Sequence, residues 1–180
     1  MTEFVFGEPN FRQRLDRIVD AALPGVMAVG MQNPSTAEAD IDGKNDPTIA
    51  RLHNFSRHLG YGRFIGFNAH TRRASQPVEL YRWYDMATTL AERDAYKRQC
   101  FQTALGICRE TIGAGGIVVA ASGNCYWEDP WVRLFWRMLA NSEIPLHVFG
   151  LTGQRAPIHP LARGKMRLPD TVSITPWVPA

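Results

Sequence analysis

Four short runs that are apolar almost from end to end, each closed by a polar or glycine-containing turn, constrain this chain more than any other feature. They lie at residues 26–31, 63–67, 117–121 and 145–150. A strand with one wet face alternates apolar and polar residues, whereas an unbroken apolar run is buried on both faces, as in a parallel sheet covered by helices. The segments between the runs carry helix signals. Asp46 is placed to cap a helix with Pro47 as its first residue and Ile49, Leu52, Phe55 and Leu59 inward. Pro77 starts another. Residues 90–112 form a long one with Phe101, Ala104, Leu105, Cys108 and Ile112 on one face, stopped by the glycines at 113–116. Asp129-Pro130 opens a fourth, with Trp131, Leu134, Phe135, Met138 and Leu139 inward. Near the start, Asn10 is placed to cap a helix whose stripe is Phe11, Leu15, Ile18, Val19 and Ala22, ended by Leu23-Pro24-Gly25. A short last strand falls at 172–174. The pattern predicts one α/β domain over residues 1–180, a three-layer α/β/α sandwich around a central, mostly parallel, four-stranded sheet.

The chain has 180 residues, 45% of them hydrophobic, long enough to bury a core without a disulfide or a structural metal. Cys100, Cys108 and Cys125 have no C-x-x-C spacing and read as reduced thiols in packing roles. No apolar run reaches the length of a membrane span, and the opening MTEFVFGEPNFRQRLD carries charges where a signal peptide would be apolar, so a cytoplasmic, monomeric protein without membrane contact is expected. The five histidines form no H-E-x-x-H or Cys/His cluster, which argues for no metal. Gly113-Ala114-Gly115-Gly116 precedes a strand and lacks the Gly-Lys-Ser/Thr of a phosphate-binding loop, so no cofactor is implied. Ser35 and Thr36 lie in no G-x-S-x-G elbow, which argues against serine hydrolysis.

In open α/β sheets ligands sit beyond the carboxyl ends of the strands, so the residues after each run are read first. They are Gln32-Asn33-Pro34-Ser35-Thr36, then Asn68-Ala69-His70, then Ser122-Gly123-Asn124-Cys125-Tyr126, then the stretch from Gly150 to Arg167. Asn33 and Asn68 each offer a donor and an acceptor able to read the edge of a nucleobase, or to cap a turn. His159, stiffened between Pro157 and Pro160, is placed to donate a hydrogen bond to developing negative charge, or to serve packing alone. Net charge is only +3, with 20 Lys and Arg against 17 Asp and Glu. The cations are clustered, however: Arg155, Arg163, Lys165 and Arg167 fall where no acid occurs between Glu143 and Asp170, and Arg72 and Arg73 belong to the same sheet end. Such a patch engages phosphates or forms a solvated face.

Met31-Gln32-Asn33-Pro34-Ser35-Thr36-Ala37, Asp46-Pro47-Thr48, Gly60-Tyr61-Gly62, Asn68 with Ser75-Gln76-Pro77, and Gly150-Leu151-Thr152 with His159-Pro160-Leu161 together resemble a bacterial and phage family marked by an N-P-S-T-A motif. The match spans about residues 25–177. That family in turn resembles a distant branch of the uracil-DNA glycosylase superfamily, whose members carry a G-Q-D-P-Y or G-I-N-P-G motif after strand one, an Asn after strand two and an H-P-S motif after the last strand. The resemblance implies that Asn33 orients the attacking water and that Gln32 and Ser35 contact the base. It further implies that Asn68 reads the base and that His159 stabilises the departing base oxygen. Leu161 would be the wedge, and Arg72, Arg73, Arg155, Arg163 and Lys165 the phosphate clamps. Asn33 in place of a carboxylate, Leu161 in place of Ser, and Ser122-Gly123 in place of Trp-Gly depart from the pattern and imply a slow or differently selective enzyme. Phe55, Tyr61, Tyr126 and Trp127 all remain candidates for the ring that stacks on the base.

The implied activity is that of a DNA glycosylase that flips a pyrimidine or modified base and hydrolyses its N-glycosidic bond. Two alternatives stay open: a non-catalytic module that binds a nucleotide or modified base, and an N-glycosidase of free nucleosides or nucleotides.

Overall fold

The structure, a computed structural model, describes residues 10–34, 46–86, 89–124 and 130–180. Its strands are β1 (Leu15–Ile18), β2 (Val26–Met31), β3 (Arg63–Asn68), β4 (Ile117–Ala120), β5 (Leu146–Val148) and β6 (Thr175–Pro176). Its helices are α1 (Pro47–His58), α2 (Pro77–Met86), α3 (Leu90–Gly113) and α4 (Pro130–Asn141). The strands form one sheet in the order β1-β3-β2-β4-β5-β6. The four runs recognised in the sequence are the four central strands, and all three pairings among them are parallel. The sheet has six strands rather than four, because β1 and β6 add antiparallel edges.

The first edge corrects the expected N-terminal helix. Leu15 pairs with Gly66 and Ile18 with Arg63 in an extended segment, and Phe11 bridges to Arg72. Leu15 and Val19 are both buried. Residues i and i+4 share a face in a strand as well as in a helix, so that spacing did not distinguish the two. The exposed edge of β3 decided it, since its unpaired backbone groups require partners.

Asp46 and Pro47 start α1 as the sequence predicts: the Asp46 carboxylate accepts from the N–H groups of Thr48 (2.7 Å) and Ile49 (3.3 Å). A capping box of Thr89 and Glu92 starts α3. Ile112 and Leu134, expected inward, are instead among the exposed large apolar residues. Buried Thr111 takes the inward position at the end of α3, and Val132 and Trp136 fill the face of α4.

Strand alternation divides the core in two. Ala28, Ile65, Phe67, Val118 and Ala120 pack with α3 and α4. Met27, Val29, Phe64, Val119 and Ala121 pack with Ile49, Leu52 and Phe55 of α1. Helices therefore cover both faces of the central strands, and Gly66 and Asn68 follow Phe64 on the α1 face by their period of two. Cys100 and Cys108 are buried and unpaired as disulfides. Burial pushes the Cys108 thiol up to about 12, which keeps it protonated and inert. Among the described residues no helix is long and apolar enough to cross a membrane.

Candidate functional site

The chain runs from β2 out to β3 on one side and returns to β4 on the other, so β2 is the switch point of the sheet. A pocket of about 730 Å³ opens there, beyond the carboxyl ends of β2, β3 and β4. That volume is in the range that takes a small organic ligand. Gln32, Asn33, Asn68, His159, Leu161 and Arg163, all candidates from the sequence, line it.

Asn68 is the last residue of β3 and is only 4% exposed, yet its Oδ1 has no hydrogen-bond partner. An unsatisfied buried carbonyl costs about 1 to 3 kcal/mol, and the residue that carries it lines the pocket. Just below it on the same face is Gly66, which also lines the pocket. Leu15, Met31 and Ile49 surround this floor. A Cβ at Gly66 would come no closer than 3.6 Å to Leu15, an ordinary contact. Larger side chains there are accordingly expected to fill the pocket while sparing the fold. We expect Gly66→Leu to abolish ligand binding with the thermal midpoint changed by only a few degrees, measured by calorimetric titration and thermal melting.

Asn33 is held differently. Its Nδ2 donates to Ala74 O at 2.9 Å and to Pro34 O at 3.2 Å, while Ala74 N–H donates to Pro34 O. Both partners of the amide nitrogen are carbonyls, which fixes the side-chain oxygen as the free end. Asn33 thus staples the loop after β2 to the loop after β3. Gln32 is buried, takes the His70 N–H on its backbone oxygen and reaches Tyr81 Oη at 3.5 Å.

His159 is brought in by the chain after β5. Pro157 O accepts from Gly123 N–H, Gly150 O accepts from Ile158 N–H, and Thr152 Oγ1 donates to Asn124 Oδ1 at 2.7 Å, tying the loops after β4 and β5 together. Gly123 lies at φ +74, and a Cβ there would stand 3.2 Å from His159 Cβ. Glycine therefore serves both the backbone conformation and the close approach. The Nδ1 of His159 accepts the Leu161 N–H at 3.1 Å, so in the neutral ring Nε2 carries the proton and is the donor. Burial lowers the His159 pKa below its usual 6.5, and the Asp46 charge opposes this in part.

The sign of the pH effect follows from that shift. The native state prefers neutral His159, so its contribution to stability is full above about 6.5, the unfolded value, and is lost as pH falls through the folded value. Protonation also sets an N–H against the Leu161 N–H. Nitrogen-resolved NMR is expected to show the Nε2–H tautomer at pH 7 and titration below 6.5.

The remaining candidates divide. Leu161 and Arg163 are exposed at the pocket mouth, and Lys165 lies in a single 3-10 turn, Gly164–Met166, outside the pocket lining. Arg51 of α1 holds the chain just beyond them, donating to Leu168 O at 2.6 Å and pairing with Asp170. Arg155 is exposed in the Leu151–Pro157 turn and does not itself line the pocket, although its N–H donates to the oxygen of lining Thr152 at 2.9 Å. Arg72 does not line the pocket either: its guanidinium lies 4.8 Å from the Trp83 ring and 5.6 Å from Phe11. Arg73 belongs to the backbone link with Asn10. Of the candidate stacking rings, Phe55 is fully buried in the α1 core and Tyr61 packs near Gly25. Ser35, Tyr126 and Trp127 lie outside the described residues, as does Cys125. Among the described residues no three His, Cys, Asp or Glu side chains are grouped as metal ligands.

Sequence reasoning missed Arg12 and Gly66 as pocket residues, named Asn124 and Thr152 only within the rim stretches after the third and fourth runs, and read Asp46 only as a cap. Arg12, 4% exposed, lines the pocket because the segment around it is extended rather than helical. The period-two alternation from Phe64 through Gly66 to Asn68 was the available signal for the floor.

These features define an α/β protein with a mostly apolar pocket at the carboxyl end of a mostly parallel sheet, its polar groups including a buried amide and a histidine. The chain belongs to the family described as Protein of unknown function (DUF1643), whose model matches residues 12–161. Neither the curated proteins nor the solved structures contain a match to it.

Proposed function

We propose that this protein is a DNA glycosylase related to the uracil-DNA glycosylase superfamily, one that extrudes a pyrimidine or modified base into the pocket and hydrolyses its N-glycosidic bond. The observation that carries the reading is that Asn68, a buried amide whose oxygen has no hydrogen-bond partner, lines the same pocket as a histidine whose Nε2–H is the available donor. An amide at the pocket floor pairs with the donor and acceptor edge of a pyrimidine. As the bond to the sugar breaks, its electron pair moves onto the base. A fixed neutral donor at the base oxygen stabilises that charge without reorganising.

The mouth of the pocket supplies what extrusion requires. Leu161 and Met166 are exposed apolar side chains beside Arg163 and Lys165, a combination suited to wedging a base step while holding phosphates. The test is DNA affinity against salt. Wild-type binding is expected to weaken steeply with salt, and Arg163→Ala with Lys165→Ala to reduce the log–log slope by about 1.8, the value for two phosphates at 0.9 each. An unchanged slope would remove DNA from the account and leave free nucleosides or nucleotides as the substrates.

A second reading, a base-binding module without turnover, is favoured by the Asn33 staple, since an amide tied to two carbonyls does not accept a proton. It predicts affinity without base release.

A further inference from the structure

The pocket is longer than a single base. Its lining runs from Ser122 and Gly123, which follow β4, to Leu15 on β1. β4, β2, β3 and β1 are successive neighbours in the sheet, so the lining crosses three strand spacings, about 14 Å at about 4.8 Å each. The two ends differ in character. Ser122, Asn124, Thr152 and His159 stand at the β4 end, all with polar side chains. At the β1 end Gly66 pairs with Leu15 to make the floor, and Met31 and Ile49 line the space beside them. Arg12 lines the pocket from beyond the end of β3, where its N–H donates to Thr71 O at 2.7 Å. Gly66 keeps this end open, and the fold does not ask for glycine there. At Gly30 of β2 a Cβ would collide with the Phe67 and Trp136 rings, whereas at Gly66 the nearest atom is Leu15 Cβ at 3.6 Å, and Gly66 is not among the residues of positive φ. The missing side chain therefore serves the space in front of it.

From this arrangement we infer that the base taken by this protein is a pyrimidine carrying an extended apolar substituent at C5, held in the chamber over Gly66. The inference rests on the glycosylase reading for the base and adds what the apolar end of the pocket selects. On a pyrimidine nucleoside N1 carries the sugar, and the hydrogen-bonding groups occupy the edge from C2 to C4. C5 is the ring position opposite the C2 oxygen. With that oxygen at the His159 donor, a substituent at C5 is directed toward the β1 end. Size agrees with this placement, since pockets of about 300 to 1,000 Å³ hold drug-sized ligands, and a volume of about 730 Å³ exceeds what one bare ring fills. The chamber favours an apolar group because Leu15, Met31 and Ile49 offer it no hydrogen bond. Each carbon buried there is worth about fourfold in affinity.

Calorimetric titration with free nucleosides tests the chamber apart from base flipping and apart from catalysis. The probes are deoxyuridine, thymidine and 5-propynyl-deoxyuridine. Affinity is expected to rise in that order, with the propynyl nucleoside bound at least about tenfold more tightly than deoxyuridine, three added carbons being worth that or more. Gly66→Val puts a branched side chain into the chamber on a strand that suits it. It should cut the propynyl preference at least about fivefold, with the thermal midpoint within a few degrees of wild type. Gly66→Ala, a smaller intrusion, should cut it less and gives a second point on the same scale. A preference below tenfold in the wild-type protein, a preference that survives Gly66→Val, or binding of none of the three nucleosides would overturn the chamber. Base release from DNA is assayed separately. Release without the preference would leave the glycosylase reading standing and remove the substituent, whereas the preference without release from any DNA would keep the chamber and remove the glycosylase.

Discussion

Replacing His159 by alanine is expected to slow base release by a factor of about 10² to 10³, the usual effect of removing one donor to a developing anion. The expectation rests on the ring being neutral and aimed. Its Nδ1 is occupied by the Leu161 N–H, and burial opposes protonation. The fold tolerates the loss, because the residue is partly exposed and the loop is held independently by Gly123, Gly150 and Thr152. His159→Gln should recover little, since a flexible amide donor replaces a fixed one. Single-turnover kinetics on a cleavable substrate measure this, and equal rates for wild type and alanine would remove His159 from the chemistry.

Replacing Asn68 by leucine is expected to do two opposite things. The side chains are similar in volume, but leucine brings no polar atom. The unsatisfied Oδ1 of Asn68 now burdens the folded state. Removing a buried group that lacks its partner is neutral to stabilising, by up to about 1 to 3 kcal/mol. The thermal midpoint of Asn68→Leu should therefore hold or rise. Base release should fall at least a hundredfold, because a site built to hydrogen-bond its ligand loses that selection with the polar group. A lower midpoint together with preserved activity would show that Asn68 is a structural residue. The combination of higher stability and lost function is what distinguishes a ligand-facing amide from a turn cap.

The central strands were legible because an unbroken apolar run has few alternatives once its length falls below that of a helix. The edge strand β1 was not, since Leu15 and Val19 satisfy both periodicities and only the pairing with β3, nearly fifty residues away, selects the extended form. The same reversal hid Arg12, which a helix would have turned elsewhere. Asn33, Asn68 and His159 were found because each follows an apolar run, and the carboxyl ends of parallel strands converge. Arg72 was assigned to phosphate on its charge and its place at the sheet end, yet Phe11 and Trp83, at sequence distances that no local pattern connects, pack against its guanidinium. Asp46 shows a different limit: at the level of sequence it reads as a cap, and only the tertiary placement of α1 puts it in the wall of the pocket that His159 also lines.

The central claim is that this pocket releases a base from DNA. The most direct measurement incubates the protein with DNA containing a panel of normal, deaminated and modified pyrimidines and identifies free bases by mass spectrometry, with His159→Ala and Asn68→Leu as controls. The account predicts release of one base or a narrow set, lost in both variants. Tight binding without any release, or release unaffected by the two substitutions, would contradict it.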